Sequence, residues 1–149
     1  IFFTIQILFN VFYIFKYHPH QHVYFNLLSK NFIQSNFPLD YWGLSNQRTL
    51  EKILKGDKFN YPLKISSASF TDLNKTKLIM DKNLRKKFVF IEDNHDKADL
   101  IFTNYYYFVR PIFNKKRYNI PNHFKSYYKF KVDGITINEI FINTKKLNN

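Results

Sequence analysis

Cysteine is missing from this chain altogether, and glycine and proline are scarce, with three and five residues respectively. Without cysteine there is no disulfide framework, no thiolate zinc site and no cysteine nucleophile, although the redox compartment stays open. The three glycines stand at Gly43, Gly56 and Gly134. None of them builds a phosphate-cradling loop or a dinucleotide fingerprint, and no serine lies in a G-x-S-x-G setting. Nucleotide binding by those routes and serine hydrolysis by that motif are excluded.

Acidic residues are also few. Eleven Asp and Glu face 23 Lys and Arg, a net charge of +12. Such a balance ordinarily points to nucleic acid or an anionic membrane surface. Here, however, Lys, Asn, Ile, Phe and Tyr are abundant together, and all have AT-rich codons, a bias that raises Lys without selection for a partner. The lysines also stand singly or in pairs, as at Lys86 and Lys87, rather than in one stripe. No nucleic-acid partner is expected.

What the chain has instead is an apolar start. Residues 1–15 carry no charge before Lys16, and only Thr4, Gln6 and Asn10 interrupt the apolar run. A bilayer span needs about 20 such residues. A secretory signal would place its positive charge before the run, not after it. The segment therefore reads as the C-terminal part (1–17) of a transmembrane helix ending near Tyr17, in a chain that is a fragment of a longer protein. A buried helix of a soluble domain is the competing reading. Residues 18–36 would be a membrane-exit segment, and residues 37–149 a soluble α/β domain.

Within that domain Ser45 is placed to cap a helix running to about residue 55, with Leu50, Ile53 and Leu54 on one stripe and Gly56 as the stop. Residues 62–69, 87–93 and 98–109 read as strands, and 71–80 as a short helix. Tyr128, Phe130 and Val132 alternate with Lys129, Lys131 and Asp133. Asp133-Gly134 then signals a two-residue hairpin turn. Alternation slips at Glu139 and Ile140, which predicts a bulge or a strand buried on both faces. The fold class is α/β, the end of a transmembrane helix followed by a small mixed domain with a C-terminal β-hairpin.

Two polar clusters invite a metal. His18, His20 and His22 would share a face on an extended strand, but Pro19 interrupts them. Residues 92–96, "EDNHD", fit a solvated turn between strands. No metal site is assigned to either.

The spacing of "HPHQHVYFN" (18–26) and "DYWGLS" (40–45) resembles the paired motifs H-P-x-Q-x-x-Y-F-N and D-Y-W-G-x-S of bacterial and archaeal multi-pass membrane glycosyltransferases, the GT-C enzymes similar to protein O-mannosyltransferases and lipid A aminoarabinose transferases. Ala98, Asp99, Asn104 and Tyr105 match a later A-D-x-x-x-x-N-Y strand, and Gly134 the terminal hairpin. The resemblance covers most of the chain, and its first two motifs are the specific ones. It implies transfer of a sugar from a polyprenyl-phosphate donor to an extracytoplasmic acceptor, at a plasma (inner) membrane, with residues 18–149 outside the cytoplasm. It also implies that the catalytic carboxylate lies in an early loop upstream, so that this part alone is inactive.

The motif candidates for structure or acceptor contact are His18, Gln21, Tyr24, Asn26, Asp40, Tyr41 and Trp42; Pro19 and Phe25 are motif positions as well. His20 and His22 fall on variable positions, which weakens a metal further. Trp42 is expected to be buried against Tyr24 and Phe25, docking the domain onto the exit segment. No cofactor is expected in these residues, and a divalent metal in the catalytic part is left open. The partners implied are membrane lipid, the lipid-linked sugar and the acceptor. A single-pass anchored interaction domain without catalysis is the alternative.

Overall fold

The computed structural model describes residues 2–24, 28–56, 59–92, 94–105 and 115–146. The apolar start forms helix α1 (Phe2–Tyr17). Its side chains are exposed around the whole circumference, with Phe2 at 78% and Phe15 at 78%, and only its last residue, Tyr17, is buried. At about 1.5 Å per residue the 16-residue helix is roughly 24 Å long. Among the described residues no helix is long and apolar enough to cross a membrane.

After α1 the chain makes a 3₁₀ turn (Gln21–Val23) and a short helix α2 (Lys30–Asn36), which the sequence pattern had not distinguished from the exit segment. Ser29 caps α2 by accepting a hydrogen bond from the Phe32 amide at 3.3 Å. Helix α3 (Asn46–Leu54) buries Leu50, Ile53 and Leu54, the stripe its sequence predicts. Ser45 precedes α3 but makes no side-chain cap to it; its hydroxyl is used elsewhere, as described below.

The rest of the chain builds a mixed five-stranded sheet of order β2-β1-β3-β5-β4. Strand β1 (Leu63–Ser67) is followed by helices α4 (Leu73–Ile79) and α5 (Lys82–Arg85), then β2 (Phe88–Ile91) and β3 (Leu100–Thr103). Both β2 and β3 pair with β1 in parallel, on opposite sides of it. A short helix α6 (Lys115–Tyr118) leads to β4 (Phe124–Val132) and β5 (Ile135–Asn143). Strand β3 ends at Thr103, well short of the 98–109 stretch expected; residues 106–109 lie outside the described ones.

Hairpin β4-β5 turns at Asp133 and Gly134, with φ of 50° and 78°. Two successive left-handed residues are what a type I′ turn requires. The expected slip takes a specific form. β5 is paired on both sides and buried along almost its whole length, because β3 and β4 flank it. The register shifts lie between Ser126 and Tyr128 and between Phe130 and Lys131, so the extra residues are Tyr127 on β4 and Ile137 on β5.

Three apolar clusters hold these layers. Leu50, Leu54, Ile65, Phe88, Leu100, Phe102 and Ile140 join helices to one face of the sheet. Ala68, Ala98, Ile101 and Phe124 lie on the other. The third cluster joins Val23, Ile33 and Leu39 to Ile135 and Ile137 at the distal end of the hairpin. The 3₁₀ turn, α2 and Leu39 are thereby packed onto the hairpin, and Tyr17 donates to the Asp133 carboxylate at 3.0 Å.

Candidate functional site

Residues 40–45 form a loop folded around one carboxylate. Asp40 accepts from the Leu44 amide at 2.8 Å, the Ser45 amide at 3.3 Å and the Ser45 hydroxyl. The turn closes with Gly43 N–H donating to the Asp40 carbonyl at 3.1 Å. Gly43 takes φ +70°, and a Cβ there would come within 2.6 Å of the Asn46 amide nitrogen. Glycine is needed on both counts. Asn46 is itself held, donating to Thr71 Oγ1 at 2.9 Å.

From this loop the bonds run to distant strands. The Asn138 amide of β5 donates to Ser45 Oγ at 2.5 Å, and Thr49 donates to Asn138 Oδ1 at 2.8 Å. Asn104, just past β3, donates to the Asp40 carbonyl at 3.3 Å and accepts from the Phe70 amide at 3.4 Å. Asp40, Ser45, Thr49, Asn104 and Asn138 are all buried. Burial pushes the Asp40 carboxyl up, while the Ser45 and Leu44 bonds and the charge of His22 draw it back. The structure thus joins Asp40 and Ser45 of the D-Y-W-G-x-S motif, Asn104 of the A-D-x-x-x-x-N-Y stretch and Asn138 of β5, which belongs to no motif, in one buried knot. Asp99 serves at the opposite end of β3, accepting from the Lys64 amide and from Lys146 Nζ, each at 2.7 Å.

The first motif gathers around the end of α1. His18 Nδ1 and Gln21 Nε2 lie 3.1 Å apart, and Tyr24 packs on Tyr13 and Tyr17 at ring-centroid distances of 4.6 and 5.1 Å. Gln21 and Tyr24, with Tyr13 and Tyr17 of α1, line an open groove of about 320 Å³. Phe25 and Asn26 lie outside the described residues. The histidines sit on and beside a 3₁₀ turn instead of a strand; the His20 and His22 rings meet edge-on at 5.8 Å, while His18 pairs with Gln21. His20 is 3% exposed against Phe130, and neither ring nitrogen has a hydrogen-bond partner among the described residues. Burial, then the charges of His22, Arg48 and His18, lower its pKa to about 4.

Trp42 does not dock. Its side chain is 81% exposed, packed edge-on against Tyr41 at 4.8 Å, and Tyr41 in turn stacks on Phe70 at 5.5 Å. Residues 40–43 form a turn closed by the bond from Gly43 N–H to the Asp40 carbonyl, and with the Asp40 carboxylate turned inward both rings at its corner face out. No family model, curated protein or solved structure matches this chain.

Two buried groups went unrecognised in the sequence. His95, expected in a solvated turn, is buried, with Nδ1 2.8 Å from Ser66 Oγ and Nε2 2.7 Å from the Arg117 carbonyl. The carbonyl can only accept, so Nε2 carries the proton and Ser66 donates to Nδ1. Glu139, at the slip in alternation, is 2% exposed. The Tyr105 hydroxyl donates to it, Lys129 Nζ lies 3.6 Å away, and burial raises its pKa to about 7. His95 carries no sequence signal beyond its polarity, whereas Glu139 stands at the slip in alternation that predicted a bulge or burial on both faces. Among the described residues no group of three or more His, Asp or Glu could hold a metal ion.

Proposed function

We propose that residues 1–149 are the C-terminal, extracytoplasmic part of a membrane glycosyltransferase that moves a sugar from a polyprenyl-phosphate donor to an extracytoplasmic acceptor, and that this part supports the enzyme without catalysing transfer. One observation carries the reading. The polar residues of the second motif, Asp40 and Ser45, are turned inward as struts, whereas His18 and Gln21 of the first are exposed; Asp40, the sole carboxylate in the two motifs, is held by three donors and buried. A general base must reach the proton it abstracts. Asp40 reaches only its own loop.

The membrane side of the proposal rests on α1. Phe2, Phe3, Ile5, Ile7, Leu8 and Phe9 are each more than half exposed, a surface suited to lipid or to neighbouring helices. The catalytic carboxylate then belongs to a segment outside residues 1–149. Sequencing the reading frame upstream of Ile1 tests this: several hydrophobic spans with an acidic residue after the first are expected. A start codon just before a single span overturns the transferase reading in favour of an anchored interaction domain. Purified residues 1–149 should also give no turnover of a polyprenyl-linked sugar above a heat-killed control.

A further inference from the structure

A cleft of about 330 Å³ opens at the carboxyl ends of β1 and β2, lined by Ser67, Phe70, Asn74, Phe90, Glu92 and Arg117 among others. Strands β2 and β3 leave β1 on opposite sides. The crevice where open α/β sheets bind ligands therefore falls between β1 and β3; the cleft, lined from β1 and β2, lies beside it at the same carboxyl ends. The cleft's volume lies at the lower end of the usual range for small-molecule sites.

The lining limits the ligand. Ser67 offers a hydroxyl, Asn74 an amide and Glu92 a carboxylate, and the last two are exposed. Asp72 adds a second carboxylate against the single guanidinium of Arg117. That excess of acid disfavours a phosphate or another anion, whereas a set of donors and acceptors of both signs suits a polyhydroxyl compound. Phe70 and Phe90 supply ring faces for its C–H surfaces. Beyond Phe70, stacked Tyr41 and then Trp42 extend the aromatic surface outward as a lip.

The position is built, not incidental. His95 Nε2–H donates to the carbonyl of Arg117, fixing the segment that brings the guanidinium to the cleft. The Asn46–Thr71 bond holds the loop that carries Phe70. The cleft also lies at the end of the sheet where α1 emerges. Thr103, at the carboxyl end of β3, pairs with Glu139, and β5 reaches beyond it to Ile135 and the turn that Tyr17 contacts.

We infer that this cleft is a binding site for a neutral saccharide, with the rings of Phe70 and Phe90 against the sugar and Asn74 and Glu92 on its hydroxyls. The inference does not require the transferase reading, since a non-catalytic module can bind sugar equally well. The test is amide NMR of the full chain in detergent micelles, titrated separately with neutral mono- and disaccharides and with inorganic phosphate. At least one saccharide should give saturable shifts confined to residues 65–74 and 90–92, weakened about tenfold in Asn74→Ala and in Glu92→Gln, as expected when a hydrogen bond to bound ligand is lost. Both positions are exposed, so the variants keep the fold. Saturation by no saccharide, shifts given by phosphate alone, or undiminished binding in both variants would each overturn the site. A single upstream span together with saccharide binding removes the transferase and leaves the cleft; many spans with a silent cleft do the reverse.

Discussion

The folding stability of this domain should be nearly independent of pH between about 4.5 and 6.5, because two buried groups act in opposite directions. Glu139 has its pKa raised from 4.5 to about 7. Between those values the folded state keeps a proton that the unfolded chain has released, so stability present at pH 4.5 is lost by pH 7. His20 has its pKa lowered from 6.5 to about 4. Between those values the unfolded chain binds a proton that the folded state refuses, so stability present at pH 6.5 is lost on acidification to pH 4. At roughly 1.4 kcal/mol per pH unit separating folded and unfolded values, each group contributes on the order of 3 kcal/mol. Asp40, also raised, adds to the Glu139 side.

Replacing one group should expose the other. Glu139→Gln should give a profile that climbs by about 2 to 3 kcal/mol from pH 4.5 to 6.5, and His20→Leu one that falls by a similar amount. The assay is urea denaturation followed by far-ultraviolet circular dichroism at four pH values, since the exposed Trp42 is a poor reporter of the core. A Glu139→Gln profile with the same shape as the parent would refute the reasoning.

Ser45→Ala removes a hydroxyl that donates to Asp40 and accepts from Asn138, leaving two buried polar partners short. It should cost about 2 to 4 kcal/mol in the same denaturation assay. Gly43→Ala must strain a left-handed residue and displace an Asn46 side chain already bonded to Thr71, so a loss of about 2 to 3 kcal/mol is expected by calorimetry. Trp42→Ala should change stability by less than about 0.5 kcal/mol. A loss above 2 kcal/mol would mean that the indole is buried after all.

The parts of the fold legible in the sequence were those set by local pattern. Asp133-Gly134 between alternating segments specified the hairpin, and the Leu50, Ile53, Leu54 stripe specified α3, because turn geometry and helical period act over a few residues. What was not legible depends on neighbours distant in the chain. Glu139 stands where alternation slips, and only the pairing of β5 with both β3 and β4 decides that it is buried. His95 looks like turn chemistry until Ser66, 29 residues away, takes its ring. Helix α2 carries one buried residue, Ile33, too little to show a period. Trp42 was expected to dock the domain onto the exit segment, but the Asp40 carboxylate claims the inward direction and the indole is exposed.

The motif spacing acquires a physical meaning from the knot. Asp40 and Asn104 are 64 residues apart and Ser45 and Asn138 are 93 apart, yet each pair is hydrogen-bonded and buried. A buried polar group stripped of its partner costs more than the bond contributes when made. These residues therefore stand or fall together, and a chain that keeps Asp40 and Ser45 must also keep acceptors and donors at the ends of β3 and in β5. The same bonds fix where the loop's outer side points. Tyr41 and Trp42 face outward only because Asp40 is tied inward, and Phe70 meets Tyr41 only because its amide is held by Asn104. The inward and outward sides of one loop thus fall to different residues, Asp40 and Ser45 against Tyr41 and Trp42: Ser45→Ala should disturb the cleft by loosening the fold, whereas Trp42→Ala should leave the fold intact and alter only what meets the aromatic lip.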